Sequence, residues 1–386
     1  MPPVPEALAQ ALEKFSEVAV GCERALGVAS EVTGARDNLN HALVRLVEIG
    51  DALRHEGSNG EAIACYRVAL RHDPDCAAAH LALAHSLLLT GNFEQGWEEF
   101  EWRWRAGGIS PCPFSQPLWD GSPIEGRTIL LWAEQGLGDT IQFIRYAALL
   151  ERGGARVVVE CQPGLAGLLE TVPGVEKVVP FRSPLPDFDV HAPLQSLPRI
   201  LCTRLETIPA QVPYLSADPE LVERWGPPIA AFEGFKVGLT WAGNPSQVND
   251  RARSLTLAQL APLARIPGVA LFGLQLGLQA AELHSPPPGL ILTNLVDESS
   301  QISDTAAIIM NLDLVISVDT MVAHLAGALG RPAWTLLSFS PSDRWLLDRE
   351  DSPWYPTMRL FRQPRPGDWQ SVLERVAEAL KHAAPS

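Results

Sequence analysis

From residue 128 onwards, short apolar runs alternate with stretches of helical periodicity, and no other feature constrains the fold of this chain as strongly. "TILLW" (128–132), "ARVVVE" (155–160) and "VEKVVP" (175–180) read as strands, with helices expected from about 140 and near 164–170. The pattern restarts after 234. "KVGLTW" (236–241), "VALFGLQ" (269–275), "LILTNL" (290–295), "LVISVD" (314–319) and "PAWTLLS" (332–338) read as strands. Helices are expected over about 256–264, 304–312 and 321–329, and a last amphipathic helix over 368–382. Runs that are apolar at consecutive positions suit strands covered on both faces, as in parallel sheets flanked by helices. Two α/β domains are therefore expected, divided near 215–234, where Pro213, Pro219, Pro227 and Pro228 cluster. Such sheets bind ligands at the carboxyl ends of their strands, so two facing sheets place a ligand cleft between them.

The first hundred residues are different. They lack strand-like runs and are rich in Ala, Leu and Glu. The segment starting at Ile49, "IGDALRHEGSNGEAIACYRVALRHDP", aligns at an offset of 34 with "LAHSLLLTGNFEQGWEEFEWRWRAGG", starting at Leu83. Gly57 matches Gly91, Ala62 matches Gly96, and Tyr66 matches Phe100. In each copy a glycine turn separates two amphipathic helices, small residues let them approach, and an aromatic fills the groove. This pattern resembles the tetratricopeptide repeat, whose period is 34. Such repeats stack into concave faces, which implies a protein partner, although a helical hairpin that only caps a neighbouring domain is the plainer alternative. Residues 1–48 are expected to add helices to the stack. Residues 109–126, rich in Pro, Gly and Ser, read as a linker pinned by Phe114, Leu118 and Trp119.

Composition narrows the function. The chain has 386 residues and a formal net charge of -15. Nucleic acids and anionic membranes both favour a basic surface, so neither is an expected partner. Six cysteines at 22, 65, 76, 112, 161 and 202 show no Cys-x-x-Cys spacing, which fits buried thiols in a reducing compartment. The N-terminus lacks the basic and apolar regions of a signal peptide, and the apolar stretch 306–339 is interrupted by Asp313, Asp319 and Arg331. A cytoplasmic protein without a membrane span is expected. There is no His-Glu-x-x-His, no Gly-Lys-Ser/Thr phosphate loop and no G-x-S-x-G elbow, so neither a metal nor a hydrolase triad is indicated.

Three stretches carry candidate chemistry. In "AEQGLGDTIQFIRY" (133–146), Gly136 and Gly138 permit a tight turn, and Asp139 with Thr140 begins a helix. Asp139 either caps that helix or projects into the cleft as a general base. Glu134 and Arg145 are weaker candidates, and Arg145 is expected to face elsewhere. In "SVDTMVAHLAGALG" (317–330), a strand ends at Asp319 and Thr320 and a helix starts at once. A diphosphate could rest on the N–H groups of Met321 and Val322, with Thr320 and His324; alternatively Asp319 and Thr320 only cap, and His324 is a core residue. In "TWAGNPSQVNDRARSL" (240–255), Asn244, Arg251 and Arg253 sit on a loop after a strand. An arginine fork suits phosphate oxygens, while pairing with Asp250 is the alternative. Gln275 and Asp304 end or begin neighbouring elements and meet a base or ribose, or else fix a loop and cap a helix. His191 and Ser196, in "DVHAPLQSLP" (189–198), are acceptor-side candidates following a strand. Residues 341–363 read as a long aromatic and arginine-rich loop.

"GLGDTIQFIRY" and "VISVDTMVAHLAGALGRPAWTLL" together resemble the ADP-heptose:lipopolysaccharide heptosyltransferase family. The resemblance covers roughly residues 127–364 and implies the GT-B fold, two facing Rossmann-like domains, here behind an all-α tetratricopeptide-like domain. The architecture is also similar to protein O-linked N-acetylglucosamine transferases. The family's general base falls on Asp139, and its recurrent aspartate, threonine and histidine fall on Asp319, Thr320 and His324. Met321 stands where the family usually has glycine, and Arg251 or Arg253 takes the place of its phosphate lysine.

The implied organisation is a helical domain over 1–108, the linker, a first Rossmann-like domain over 127–225, a second over 226–365, and a C-terminal helix over 366–386 that packs back on the first. The implied activity is metal-independent, inverting transfer from a nucleotide diphosphate sugar to a hydroxyl of a protein or saccharide acceptor. No cofactor beyond that donor is expected. Its donor-side residues are Asn244, Arg251, Arg253, Gln275, Asp304, Asp319, Thr320, Met321, Val322 and His324. A non-catalytic interaction scaffold and a nucleotide-sugar epimerase are the alternatives.

Overall fold

A computed structural model describes residues 33–107, 114–247, 250–295 and 301–384. Expectations that fall on residues 1–32, on 108–113 of the linker region, and on Cys22 and Cys112 lie outside the described residues. The chain forms two compact units. The first holds the described residues up to 107 together with 202–205 and 342–347, and the second holds the remainder.

The first unit is built from two helical hairpins. Helices α1 (Thr33–His55) and α2 (Asn59–His72) form one, and α3 (Ala77–Leu89) and α4 (Phe93–Phe100) form the other. Their turns are the same turn, 34 residues apart. Gly57 and Gly91 both have φ 84°, a left-handed conformation that glycine adopts without strain. Ser58 N–H donates to the Leu53 carbonyl and Asn92 N–H to the Leu87 carbonyl, each at 2.8 Å. This is the Schellman closure, which satisfies carbonyls left open at a helix end. Between the hairpins, Ala62, Ile63, Tyr66, Leu83 and Leu87 form one buried cluster, and Leu43, Leu46, Val68, Ala69 and Ala79 another. The second copy ends early, because α4 passes directly into a single 3-10 turn, Glu101–Trp104.

The segment 342–347 contributes Asp343, whose Oδ2 lies 3.0 Å from His85 Nδ1. Burial alone would raise this carboxyl, but the bonded His85 ring, with Arg344 and Ser342 beside it, holds it down to about 2.

The second unit contains two all-parallel sheets. The first has four strands in the order β3-β2-β1-β4: β1 (Thr128–Trp132), β2 (Arg156–Cys161), β3 (Val175–Pro180) and β4 (Val190–Pro193). The second has six in the order β10-β9-β8-β5-β6-β7: β5 (Phe235–Thr240), β6 (Val269–Gly273), β7 (Thr293–Asn294), β8 (Leu314–Val318), β9 (Ala333–Leu337) and β10 (Met358–Arg362). Each sheet is a doubly covered parallel layer, with β1 and β2 on one and β5, β8 and β9 on the other buried along most of their length. These are the two α/β lobes expected of a GT-B-like architecture.

Several elements differ from expectation for identifiable reasons. Val190–Pro193 is itself a strand, paired with β1, although its histidine and closing proline mask the pattern. Only Thr293 and Asn294 of "LILTNL" pair, at the sheet edge, where Ile291 is 85% exposed. Residues 257–265 form a 3-10 helix containing Pro262, which cannot donate to a carbonyl. β10 lies inside what reads as a loop, because arginines flank its apolar residues. At the linker, Trp119 is buried and its N–H donates to the His191 carbonyl at 2.8 Å, whereas Leu118 is exposed.

A connecting helix, α6 (Pro219–Ala230), begins with Asp218 as its cap and Pro219 in its first turn, where the missing N–H costs nothing. The C-terminal helix, here called α9 (Trp369–Ala383), corrects the expectation that 366–386 returns to the first Rossmann-like domain. Its buried Trp369, Val372, Leu373, Val376 and Leu380 share a core with Val237, Leu239, Leu314 and Phe361 of the second sheet. It follows β10 closely in sequence, so its apolar stripe covers the sheet it has just left. Among the described residues no helix is long and apolar enough to cross a membrane.

Gly91→Ala tests the repeat turn. An added Cβ there meets no atom within 4 Å, so its cost is backbone strain alone, about 1 kcal/mol in urea unfolding. Asp343→Asn tests the His85 contact. A folded-state pKa below the unfolded one stabilises above the unfolded value and is lost as pH falls through the folded one. The variant is therefore less stable than the parent near neutral pH, and thermal melts show the gap closing as pH drops from about 4 towards 2.

Candidate functional site

In the first lobe, β1 delivers the chain to a turn at residues 133–136 and then to α5 (Leu137–Phe143). Gly136 is the extended N-cap, and Asp139 Oδ2 accepts its N–H at 3.0 Å. The aspartate thus caps its own helix while remaining partly exposed at the carboxyl edge of the sheet. Beside it, Glu134 Oε2 accepts the Gln195 N–H at 3.1 Å, which ties the end of β1 to the turn after β4.

His191 belongs to an aromatic cluster. Its Nδ1 accepts the Trp132 Nε1–H at 3.1 Å, and its ring stands 5.1 Å from that of Phe114. Burial lowers its pKa, against the effect of a backbone bond at Gln116, as befits a neutral ring that accepts a hydrogen bond. Ser196 is buried. Arg145 is also buried, away from solvent.

Glu160 is a carboxylate at this edge that no motif singles out. It pairs with Trp132 across β2 and β1 at the carboxyl end of the sheet, and partial burial raises its carboxyl pKa. The signal was a carboxylate near the end of a parallel strand.

In the second lobe, β8 ends at Val318, Thr320 caps α8 (Met321–Ala328), and the helix begins without a side-chain cap. Thr320 Oγ1 lies 3.0 Å from Ser317 Oγ instead. The first-turn N–H groups of Met321 and Val322 are of the kind a helix leaves open to an anion. His324 is 2% exposed, with Nδ1 2.9 Å from the Tyr355 hydroxyl.

The loop after β5 is fastened to this turn. Arg253 Nη1 donates to the Asp319 carbonyl at 2.9 Å, and its Nε contacts Asp250 at 3.3 Å. Arg251, on the same one-turn helix, is exposed. Asn244 is exposed too, and its Oδ1 accepts the Ser246 N–H at 3.0 Å. Gln275 is buried behind the loop. Its Oε1 accepts the N–H groups of Trp241 and Ala242, at 3.0 and 2.9 Å, and its Nε2 donates to the carbonyls of Ala242 and Leu276. The amide therefore holds the end of β5 in shape.

Asp304, in the first turn of α7 (Ile302–Met310), faces the connecting helix. Oδ1 accepts from Arg224 at 2.7 Å and from Trp225 at 3.0 Å, and Oδ2 accepts the Gln301 N–H.

Two of the places where the lobes approach are marked by glycines. A Cβ built on Gly138 would stand 2.8 Å from His324 Cδ2, and one on Gly164 would stand 3.3 Å from Ile302 Cδ1. The first contact brings the starts of α5 and α8 together. Asp139 on one lobe and Thr320, Met321 and Val322 on the other thus flank the same junction, with Arg253 and Asn244 on the adjoining loop. Asp304 is bonded to a different neighbour. Among the described residues no three His, Cys, Asp or Glu side chains converge as a metal site would require.

Comparison with known proteins agrees with this architecture. Residues 50–91 match the TPR repeat, and residues 287–366 match glycosyltransferase family 9, the heptosyltransferases. The chain therefore joins a tetratricopeptide-repeat region to a heptosyltransferase-like, GT-B-type α/β region. Protein FlbA of Caulobacter vibrioides is 30% identical over 341 residues, which cover 81% of this chain. The chain spans 56% of the length of that relative. A glycosyl transferase family 9 structure from Veillonella parvula is 12% identical, covering 68% of this chain and 91% of that one, with a TM-score of 0.48. The ADP-heptose lps heptosyltransferase II of E. coli is 16% identical, covering 66% and 99%, with a TM-score of 0.45.

Gln275→Ala separates framework from ligand contact. It leaves the buried N–H groups of Trp241 and Ala242 without their acceptor, and urea unfolding is expected to show a loss of about 1–3 kcal/mol before any ligand is added.

Proposed function

We propose that this chain is an inverting glycosyltransferase that moves a sugar from a nucleotide diphosphate sugar to an acceptor hydroxyl without needing a metal. The observation that carries this reading is the meeting of the α5 and α8 starts at Gly138 and His324. An acid on one lobe thereby shares a junction with an anion-binding helix start on the other.

In this reading the diphosphate lies on the N–H groups of Met321 and Val322 and on Thr320, with Asn244 and Arg251 reaching it from the exposed loop. Asp139 takes the proton of the acceptor hydroxyl. The freed oxygen bonds to the anomeric carbon as the bond to the diphosphate oxygen breaks, and the carbon inverts. The leaving diphosphate gains charge, which the helix start and Arg251 stabilise. Arg253, Asp319 and Gln275 shape the loop that presents these groups, and Asp304 secures α7 beside them. The repeats offer a face for a protein partner, and the acceptor hydroxyl belongs to a protein or a saccharide. ADP-heptose, named for the E. coli relative, is the first donor to try.

A second reading has an observation of its own. Gln275, Asp304, Arg253 and one oxygen of Asp139 are all engaged in internal bonds, as they would be in an interaction scaffold that no longer catalyses. Calorimetry with ADP and with UDP separates the two, since a scaffold binds neither.

Asp139→Asn keeps an oxygen for the Gly136 N–H but cannot accept the proton. ADP affinity is expected to persist, while ADP release from ADP-heptose with acceptor falls about 100-fold or more. Undiminished release would remove Asp139 as the base.

A further inference from the structure

Arg145 is a buried cation that the proposed reaction does not use. It follows α5 by two residues and is 4% exposed. Its Nε donates to the Gln142 carbonyl at 2.7 Å, in the last turn of α5. Nη1 donates to the Trp354 carbonyl at 2.6 Å and, at 3.4 Å, to that of Pro209, while Nη2 donates to the Tyr214 hydroxyl at 2.8 Å. None of these acceptors is a carboxylate. The guanidinium also lies 4.6 Å from the ring centres of both Tyr214 and Tyr355, and 5.4 Å from that of Trp354. A desolvated cation is costly unless its N–H groups are taken and π faces surround it. An apolar side chain would fill the same space more cheaply. What the charge adds is geometry, because a planar fork fixes three chain segments at once.

Tyr355 carries this grip to the other lobe. Its ring lies against Gly327 of α8 so closely that any Cβ there would collide with it. Its hydroxyl is the 2.9 Å partner of His324 Nδ1. The His324 ring then covers Gly138, the residue before Asp139. The contacts thus leave α5 at Gln142, pass through Arg145, Tyr355 and His324, and return to α5 at Gly138. Tyr214 adds a second arm, donating to the Ile141 carbonyl at 2.8 Å. At seven residues, α5 is too short to hold its own shape in water.

We propose that Arg145, Tyr355 and His324 are positioning residues, a closed brace that sets the start of α5, and with it the Asp139 carboxylate, against the start of α8. The brace rests on the transferase reading for its purpose, and it gives His324 a task other than touching the diphosphate. It also accounts for the close fit of the His324 ring on Gly138, where a Cβ would stand 2.8 Å from the ring.

Tyr355→Phe is the decisive variant, since it keeps the ring beneath Arg145 and removes only the hydroxyl. Hydrogen–deuterium exchange should accelerate tenfold or more over residues 137–143 and remain unchanged in β5 and β8. ADP release from ADP-heptose should fall about tenfold, with the Kd for ADP, by calorimetry, within about threefold of the parent. Gly138→Ala should lower turnover likewise, yet cost nothing further in a His324→Ala background, where the colliding ring is gone. Unchanged exchange over 137–143 in Tyr355→Phe overturns the brace, as does a Gly138→Ala penalty that persists without the His324 ring. If the unaltered protein releases no ADP from any donor, the transferase reading falls, and the exchange measurement still decides the brace.

Discussion

The His324 ring lies against Gly138, and a Cβ at 138 would stand 2.8 Å from its Cδ2, so that ring or the backbone beneath it would have to move. This approach lets a short helix from the four-stranded lobe start beside an eight-residue helix from the six-stranded lobe. Protein interiors are close-packed, so a contact without slack passes position along faithfully. Much of the surrounding structure maintains it. Tyr355 orients the imidazole, Arg145 fixes Tyr355, and the Arg253 bond to the Asp319 carbonyl keeps the entry to α8 in place.

The polar residues around this junction divide into those with filled hydrogen-bond capacity and those that face solvent. Gln275 and Asp304 are buried and bonded on both ends of their side chains, Gln275 to the end of β5 and Asp304 to Arg224, Trp225 and the start of α7. Asn244 and Arg251 face outwards on the loop after β5. In a chain with a net charge of -15, an exposed arginine such as Arg251 is a local departure from the prevailing field.

Legibility in the sequence followed the size of the repeating signal. Strands such as "TILLW" and "LVISVD" carry three or more consecutive buried positions, apolar except for Ser317, because helices cover both faces, so they stand out from their surroundings. The repeat was visible because Gly57 and Gly91 answer the same backbone demand at the same interval. Strand β4 was hidden by His191 and the strand-breaking Pro193, and β10 by its arginines, since a strand of four or five residues has too few positions to outweigh two such residues. The packing of α9 was not legible, because an amphipathic stripe states that a partner exists without saying which. Among the site residues, the opening of helices near Asp139 and Thr320 could be read from local chemistry. The direction in which Asp304, Arg253 and His324 spend their bonds depends on partners such as Arg224, Asp319 and Tyr355, up to 80 residues away in the chain.

The two-residue strand β7 has a consequence for how the protein behaves at high concentration. It ends the larger sheet with only Thr293 and Asn294 paired to β6, so that margin offers almost no row of open amides and carbonyls to another chain. The opposite margin, β10, carries Arg359 and Arg362, and Arg359 is bridged to Asp351 in antiparallel fashion. Both borders of a strongly apolar sheet, as far as the described residues show, are thereby made poor templates for edge-to-edge pairing with another chain.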